Sequence, residues 1–464
     1  MVKKEIVKEL VEIVGEINVT TENADKITHS YDATQKRYLP DAVVYASTVE
    51  EVSKVVKAAN KWKIPLLPRG AGSGFTGGTL PIQGGIVLVL TKMDKILDID
   101  VDNLVAKVEP GVVTAELQRQ VEKLDLFYPP DPASKEFSTL GGNVAECAGG
   151  PRCVKYGVTK DYILGLEVVT PTGDIIKTGG ETLKNVVGYD LTRLFVGSEG
   201  TLGIITKIII KLLPKPAAKK TMLIFFDSID GAAKSVSAII REKIIPATLE
   251  FMDVATINCI RGKSDITISE ACQAILIVEV DGDPEILDKQ AQKILSIIEQ
   301  FGILDTRIAD TEEESEKIWE VRRVVSPSLK KINPDKFNED IVVPRSKVPD
   351  MIRALEKISA AHKVPIVNFG HAGDGNIHVN IMANMEQEGM AGIVETVMDE
   401  VFEAAIGFRG SISGEHGIGV AKSKYMEMEL DPSTIMYMKT IKKALDPLNI
   451  LNPGKIFLEH SDVA

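Results

Sequence analysis

The chain has 464 residues, of which 44% are hydrophobic and 26% charged, and its formal net charge is −12. This length allows two or three domains, and an acidic chain without a basic stripe is not expected to bind nucleic acid. The apolar runs are too short for a membrane span, and four cysteines without Cys-x-x-Cys spacing argue against zinc, iron–sulfur or disulfide frameworks. We therefore expect a reduced, cytoplasmic protein.

The predicted elements alternate along the first half of the chain. Amphipathic periodicity predicts helices at residues 3–14, 50–61 and 114–124, the last with Thr114 as its cap. Short apolar runs predict strands at residues 43–45, 64–67, 86–90, 104–108, 164–169, 174–177 and 204–211. Pro214 and Pro216 mark the best domain boundary. Beyond them, alternating strands (222–226, 274–280) and helices (231–241, 284–301) predict an α+β domain.

Five glycines lie between residues 70 and 78, directly after the predicted strand 64–67. Gly72, Gly74 and Gly77 formally match a dinucleotide fingerprint, but Pro81 follows where that fingerprint needs a long helix. We therefore reject a Rossmann site, and a Walker A loop fails because no Gly-Lys-Ser/Thr ends the segment. A nest of backbone amides that binds phosphate oxygens remains, with a flexible surface loop as the alternative.

Two further segments are rich in small residues, at 138–150 and 197–205. Three such segments within one domain predict a backbone trough around a large planar ligand.

Three of the six histidines lie in two short glycine-flanked segments, His371–Asn380 and Gly414–Gly417. In a strand, Asn376, His378 and Asn380 would share one face, and His371 could fold back across the intervening turn. Two imidazoles plus a carboxylate are typical of a catalytic metal site, and a hydrogen-bonded structural core is the alternative. A nucleotide site together with such a cluster indicates an oxidoreductase.

The motifs taken together resemble the FAD-linked oxidases of vanillyl-alcohol-oxidase type. They are residues 68–78, 139–143, 155–157, 197–203 and 452–455. The resemblance runs from about residue 38 to 456 and is closest to the branch of glycolate oxidase catalytic subunits, D-lactate dehydrogenases and D-2-hydroxyglutarate dehydrogenases.

This resemblance implies an α+β protein with four regions. They are an N-terminal helical segment (1–37), a two-subdomain PCMH-type FAD-binding domain (38–215), a ferredoxin-like substrate or cap domain with the metal site (216–425) and a helical C-terminal tail returning to the FAD domain (426–464).

The resemblance also implies the cofactor-binding residues. Those expected at the FAD pyrophosphate are Arg69, Gly70, Ala71, Gly72, Ser73, Gly74, Gly77 and Gly78. Those expected along the ribityl chain and isoalloxazine are Asp131, Thr139, Gly142, Asn143, Gly149, Tyr156 and Gly157. Glu199, Gly203 and Ile205 are expected at the adenine end, and Asn452 near the flavin. We expect non-covalent FAD, because no histidine lies between His29 and His362 and neither Cys147 nor Cys153 lies in the segment 139–142.

The resemblance assigns His371, His378 and Glu415 to one divalent metal ion (zinc, iron or manganese). It assigns Asn380 to substrate contact, His416 to the general base and Arg322 to the substrate carboxylate, with Arg323 as the solvated alternative. These roles predict oxidation of a small D-2-hydroxy acid by hydride transfer to flavin, with D-lactate as the expected substrate.

Glycolate and D-2-hydroxyglutarate are the alternative substrates. The hydroxyglutarate branch uses a threonine and a lysine for the second carboxylate, where this chain has Ser326 and Asn338, with Lys336 two residues away. The missing lysine favours a monocarboxylate, although a shift of two residues would remove the argument.

We expect the electrons to pass to a soluble protein, either an electron-transferring flavoprotein or an iron–sulfur subunit. Two other classes stay open: a lipid-forming transferase of the same fold and a non-catalytic flavin subunit. The retained histidine clusters argue against the second.

Overall fold

The computed structural model describes residues 3–457. The first two residues of the predicted N-terminal segment and residues 458–464 of the predicted tail lie outside this range. The helices of the described part are α1 (Lys4–Val14), α2 (Asn23–Thr28), α3 (Val49–Trp62), α4 (Thr114–Glu122), α5 (Leu140–Glu146), α6 (Cys153–Tyr156), α7 (Leu191–Phe195), α8 (Ile229–Arg241), α9 (Val254–Ile260), α10 (Pro284–Ile298), α11 (Glu312–Arg323), α12 (Val325–Leu329), α13 (Val348–His362), α14 (Met390–Gly407), α15 (Met426–Glu429) and α16 (Pro432–Leu445).

The strands of the described part are two to nine residues long. They are β1 (Val19–Thr20), β2 (Ala42–Tyr45), β3 (Leu66–Arg69), β4 (Ile86–Val89), β5 (Ile96–Asp100), β6 (Val105–Val108), β7 (Leu126–Phe127), β8 (Ile163–Val169), β9 (Ile175–Gly179), β10 (Ile204–Lys211), β11 (Leu213–Pro214), β12 (Ala218–Phe226), β13 (Thr248–Asp253), β14 (Ala274–Gly282), β15 (Ile303–Ile308), β16 (Asp335–Val342), β17 (Ile366–His371) and β18 (Asn376–Ala383).

The chain divides into two compact units. The first contains the residues up to Gly149, the segment Val158–Lys215 and the chain from Glu415 onward. The second contains Gly150–Gly157 and Pro216–Gly414. This mixture of helices and sheets confirms the predicted α+β class.

The first unit contains a small parallel sheet that ends in the glycine-rich loop. β2, β4 and β3 lie side by side and parallel, and β1 is added antiparallel to β2. The α3 helix is capped by Thr48, whose side chain accepts the amide of Glu51 at 3.2 Å. Its apolar stripe, including Val52 and Val56, packs with the buried side chains of this sheet because those positions recur at helical spacing. This core fixes the edge from which the loop leaves.

A second sheet of the first unit is antiparallel, in the order β5-β6-β10-β8-β9. Buried and half-buried residues alternate along most of β10, as expected for a strand with one face toward a core. A two-stranded pair, β11 with β7, lies outside this sheet.

The second unit is built on an antiparallel sheet in the order β15-β12-β14-β13-β17-β18-β16. One face of its central strands packs against the apolar sides of α9, α11 and α12. Helices α8 and α10 contact β12 and β14 but contribute nothing to that cluster, so they cover the opposite face. Helix coverage of both faces explains why the central strands are buried along their whole length.

Two local predictions need correction. Thr114 is not a helix cap: the cap of α4 is Val113, and the Thr114 hydroxyl instead bonds Ser138 and Asn143. The predicted strand 64–67 begins two residues late, at Leu66, whose amide bonds the carbonyl oxygen of Ile450 at 2.7 Å. Sequence reasoning had no access to that long-range partner. Within the described residues, no helix combines the length and apolarity needed to cross a membrane.

Candidate active site

The glycine-rich loop begins where β3 ends, at Arg69. This side chain is 6% exposed, and its guanidinium donates to the carbonyl oxygen of Tyr31 at 2.8 Å and to the Thr79 hydroxyl at 3.2 Å. Gly72 has a φ of +68°, and a Cβ there would lie 2.2 Å from Nη2 of Arg69. The Arg69 side chain therefore packs directly against the backbone of the loop at Gly72. No helix forms between residues 70 and 85, as the rejection of a Rossmann site requires.

The second small-residue segment lies against this loop. Thr139 caps α5 by accepting the amide of Gly142 at 3.4 Å, and Asn143 donates to the Thr114 hydroxyl at 2.7 Å. A Cβ on Gly70 would come within 2.2 Å of the Thr139 hydroxyl oxygen, so only glycine allows this approach. Glycine-rich backbone at the end of a parallel strand fits a role in binding pyrophosphate oxygens. The other residues expected to bind FAD that lie in the first unit are Ala71, Ser73, Gly74, Gly77, Gly78, Asp131, Gly149, Gly203 and Ile205.

Glu199 and Asn452 connect the loops of the first unit to each other. Both carboxylate oxygens of Glu199 accept backbone amides, from Ile418 at 2.8 Å and from Gly419 at 2.7 Å. The side-chain amide of Asn452 donates to the carbonyl oxygens of Gly78 at 2.8 Å and of Glu199 at 2.7 Å. The carboxylate of Glu199 thus binds the backbone of the segment after His416. Its contact with the adenine stays a prediction.

His416 lies beside the glycine-rich loop within the first unit. Its imidazole stacks on Phe75 with ring centroids 5.1 Å apart and an angle of 26° between the planes. Its carbonyl oxygen accepts the Thr76 hydroxyl at 3.3 Å, and the Thr76 carbonyl oxygen accepts the amides of Val420 and Ala421. The predicted base and the predicted cofactor loop are therefore neighbours, although 340 residues separate them in sequence.

Tyr156 and Gly157, expected along the flavin, belong to the second unit. The Tyr156 hydroxyl donates to the Asp281 carboxylate at 2.6 Å, and Lys155 pairs with the same carboxylate. Gly157 ends α6 with a φ of +79°.

The polar cluster of the second unit lies on the face of the sheet that α11 and α12 cover; we define it as Glu250, His371, His378, Asn380 and Asp340. In the register of the sheet, Glu250 lies opposite His371, and Asp340 lies opposite His378. The rings of His371 and His378 meet edge to face with centroids 5.1 Å apart. As predicted, β17 and β18 form a hairpin that brings both histidines to one face.

Glu250 connects His371 to Arg322. Nδ1 of His371 is in direct hydrogen-bonding contact with one oxygen of Glu250, and Nε of Arg322 donates to the other oxygen at 2.8 Å. The guanidinium carbon lies 4.3 Å above the centroid of Phe369. Burial acts to raise the pKa of Glu250, but the His371 imidazole and the Arg322 guanidinium outweigh it and hold this pKa below its usual value.

Asp340 is fully buried and binds the last two residues of the second unit, Ser413 and Gly414. It accepts the amide of Gly414 at 2.8 Å and the Ser413 hydroxyl at 3.4 Å, and it contacts the side-chain amide of Asn376. Glu415 is the next residue along the chain and begins the last segment of the first unit.

Asn380 is fully buried, with its hydrogen bonds made inside the protein. Its amide nitrogen donates to the carbonyl oxygens of Val367 at 3.1 Å and His378 at 3.2 Å, and its oxygen accepts from Asn338 at 2.8 Å. Both N–H groups are used, so any substrate contact by Asn380 must go through its oxygen.

The polar cluster fits a divalent metal. Metal-bound histidines commonly donate the other ring N–H to a carboxylate, and Glu250 has this relation to His371, leaving Nε2 as the ligand atom. Imidazole nitrogens with carboxylate oxygens suit zinc, iron or manganese.

Sequence reasoning missed Glu250 and Asp340. Glu250 is an acid in the middle of the apolar strand β13, which ends at Asp253, and Asp340 follows Glu339 before an apolar run. A charged residue within a buried strand is a signal for a paired or ligand-binding role, and that signal was present in both cases.

Comparison with known proteins identifies the class of protein. The model of the FAD linked oxidases, C-terminal domain, matches residues 215–456, and the FAD binding domain model matches residues 40–179. The chain belongs to the family of FAD-linked oxidases.

The chain is 45% identical to the glycolate oxidase subunit GlcD of Bacillus subtilis (strain 168), over 98% of this chain and 97% of that protein. It is 37% identical to a D-lactate dehydrogenase of Anaerostipes hadrus, over 98% and 96% of the two chains. A solved structure of p-cresol methylhydroxylase with substrate bound superposes with a TM-score of 0.81 at 20% identity, over 98% and 97% of the two chains. That similarity confirms the PCMH-type fold, and the chain is an FAD-linked oxidoreductase.

Proposed function

We propose that the protein oxidises a small D-2-hydroxy acid, with D-lactate as the preferred substrate. The observation that carries this proposal is the ion pair between Arg322 and Glu250, a residue of the polar cluster. Two of the similar proteins are named as a glycolate oxidase subunit and a D-lactate dehydrogenase, both of which refer to 2-hydroxy acid chemistry.

Arg322 is suited to bind the substrate carboxylate. Glu250 takes its Nε–H, and stacking on Phe369 fixes the plane of the guanidinium, so the two Nη atoms keep a defined direction. A planar guanidinium presents paired N–H groups that match a carboxylate in a bidentate way. Arg323, the alternative, is an exposed residue that pairs with Glu316.

His416 would accept the proton of the substrate hydroxyl at an imidazole nitrogen. Stacking on Phe75 and the backbone bonds of Thr76 hold its ring and its peptide in one place. A positioned imidazole is the most common general base at neutral pH.

His371, His378 and Glu415 would hold the metal, and the residues of the glycine-rich loop would hold the non-covalent FAD. When bound, FAD supplies the two-electron acceptor, and a divalent ion supplies a Lewis acid that lowers the pKa of a coordinated hydroxyl. Glu250 would keep His371 in one tautomer by accepting its Nδ1–H.

We further propose that electrons leave to a protein acceptor, an electron-transferring flavoprotein or an iron–sulfur subunit. The sequence has four cysteines and no iron–sulfur spacing, so a cluster would have to come from a partner. Affinity purification of the tagged chain from its native host tests this proposal. Recovery without flavoprotein or iron–sulfur subunits would count against it.

A second candidate, D-2-hydroxyglutarate, is favoured by Lys336. Lys336, Asn338 and Asp340 alternate along β16 and so share one face, and Nζ of Lys336 lies 3.3 Å from the Ser326 hydroxyl. A lysine and a hydroxyl together could bind a second carboxylate. This proximity weakens the earlier argument for a monocarboxylate.

The deciding experiment is a substrate panel. Purified protein is mixed anaerobically with D-lactate, L-lactate, glycolate or D-2-hydroxyglutarate, and the loss of flavin absorbance is followed. We expect reduction by D-lactate to be fastest. If none of the four acids reduces the flavin, the proposed function is wrong.

A further inference from the structure

Two carboxyl groups of the first unit, those of the half-buried Glu146 and the buried Glu199, have no part in the proton transfer described so far. Glu146 is the last residue of α5, which begins directly after Thr139. Its Oε2 atom is buried and makes no hydrogen bond among the described residues. A buried polar atom without a hydrogen bond costs folding free energy, so its presence calls for an explanation.

Both carboxyl groups converge on Gly417, the residue after His416. Gly417 has a φ of +82°, and a Cβ there would lie 2.3 Å from Oε2 of Glu146 and 3.0 Å from Oε1 of Glu199. The two carboxyls therefore pack directly against the backbone that carries His416, and they leave no space for a side chain.

Glu199 also fixes the next two peptides, because its oxygens accept the amides of Ile418 and Gly419 at 2.8 and 2.7 Å. Glu199 is itself held in the left-handed region with a φ of +52°, an uncommon conformation for a non-glycine residue. Its amide bonds the carbonyl oxygen of Ala145 at 2.8 Å, and its own carbonyl oxygen accepts from Asn452. A conformation maintained from so many directions is typical of a residue with a positioning role.

The pKa values of both carboxyl groups are raised in this arrangement. Burial and the nearby charges of Glu199 and Asp32 raise the pKa of Glu146 well above its usual value. Burial also raises the pKa of Glu199, although the amides of Ile418 and Gly419 favour its ionised form because amides donate to a carboxylate.

We propose that Glu146 and Glu199 form a carboxyl clamp that positions His416 by fixing the peptides of residues 417–419. Glu199 determines the direction of the amides of Ile418 and Gly419. Glu146 determines how closely the backbone at Gly417 can approach α5. The clamp extends the proposed function, because its effect on turnover depends on His416 acting as the base.

The first test is amide hydrogen exchange of the FAD-loaded protein, compared with steady-state kinetics. In Glu199→Gln, the side-chain NH2 faces one of the two backbone amides, so protection of Ile418 and Gly419 should fall about tenfold or more. kcat should fall by about 100-fold, as for a base displaced by about 1 Å, while KM changes less than about threefold. Glu122→Gln, on an exposed carboxylate paired with Lys215, is the matched control.

The two outcomes separate the clamp from the proposed function. Unchanged exchange at residues 418 and 419 in Glu199→Gln would overturn the clamp. Faster exchange with unchanged kcat would keep the clamp and remove His416 as the base.

A second test does not depend on Glu199→Gln folding. Gly417→Ala should lower kcat by about 100-fold, because its Cβ collides with Glu146. In a Glu146→Ala background the same substitution should cost at least about tenfold less, because the collision with Glu146 is removed while the strain of alanine at this positive φ and its approach to Glu199 are the same in both backgrounds. Equal losses in both backgrounds would show that Glu146 does not constrain Gly417.

Discussion

Arg322 and Glu250 form an ion pair, in which Nε of the half-buried arginine lies 2.8 Å from an oxygen of the fully buried carboxylate. The other oxygen of the same carboxylate contacts His371. One acid therefore orients both a proposed substrate-binding residue and a proposed metal ligand. A substitution of any of the three residues should disturb the other two.

Arg322→Lys should lower kcat/KM for the 2-hydroxy acid by about 100-fold, which corresponds to about 3 kcal/mol of lost charge-assisted hydrogen bonding. Lysine cannot donate to Glu250 and present a bidentate pair to the substrate at the same time. Arg323→Lys is the matched control, because Arg323 is exposed and pairs only with Glu316 among the described residues. Similar losses in both variants would remove the special role of Arg322.

His371→Ala and His378→Ala should each lower the metal affinity by more than about tenfold, because each removes an imidazole ligand. The measurement is metal content by mass spectrometry after dialysis against a chelator, followed by titration with zinc or manganese. His362→Ala serves as the control, since His362 pairs with Glu400 at the end of α13. A wild-type protein that retains no metal would contradict the metal site.

Lys336→Met should distinguish the two substrate candidates. If the second carboxylate of D-2-hydroxyglutarate binds at Lys336 and Ser326, KM for that acid should rise by about tenfold or more while KM for D-lactate stays the same. Lys330→Met removes an exposed charge nearby and provides the comparison. An equal change in KM for D-2-hydroxyglutarate and D-lactate would show that Lys336 does not discriminate between the two substrates.

Asp253 should give the second unit a stability that falls as the pH rises. Burial raises its pKa to about 6 from 3.8, against hydrogen bonds from Thr256 and Asn368. Between these two values the folded state holds a proton that the unfolded state has lost, so the free energy of unfolding decreases with pH and levels off above about 6. From pH 4.5 to pH 7 the loss should be about 2 kcal/mol.

Urea unfolding of wild type and Asp253→Asn at both pH values measures this effect. The stability advantage of wild type over the variant should shrink as the pH rises. Asp431→Asn provides the control, because Asp431 is an exposed helix cap whose pKa is lowered by Thr434, so the advantage of wild type over this variant should stay nearly constant between the two pH values. An advantage that grows with pH would contradict the raised pKa of Asp253.

Local patterns were sufficient to predict much of the fold and part of the site. The glycine-rich loop, the β17–β18 hairpin and the shared face of His371 and His378 each depend on residues close together in sequence. Glu250 could not be assigned in this way, because it lies 121 residues from His371. Its role depends on β13 pairing with β17, and nothing in either strand alone determines that order.

Thr114 shows the same limit on a smaller scale. Its position before a helical pattern predicted a cap, but Asn143 and Ser138 compete for the hydroxyl. Such competition between local and distant partners is visible only in the folded chain.

The pairing of β3 with the end of the chain has a consequence for biosynthesis. The carbonyl oxygen of Leu66 accepts the amide of Asn452 at 2.9 Å, and the amide of Leu66 bonds Ile450. During translation the edge of this sheet stays incomplete until residues 450–452 have emerged from the ribosome, long after the segment 216–414 has been made. The second unit is thus expected to acquire its structure first, and a ribosome stalled before residue 450 should leave the nascent chain unable to retain flavin.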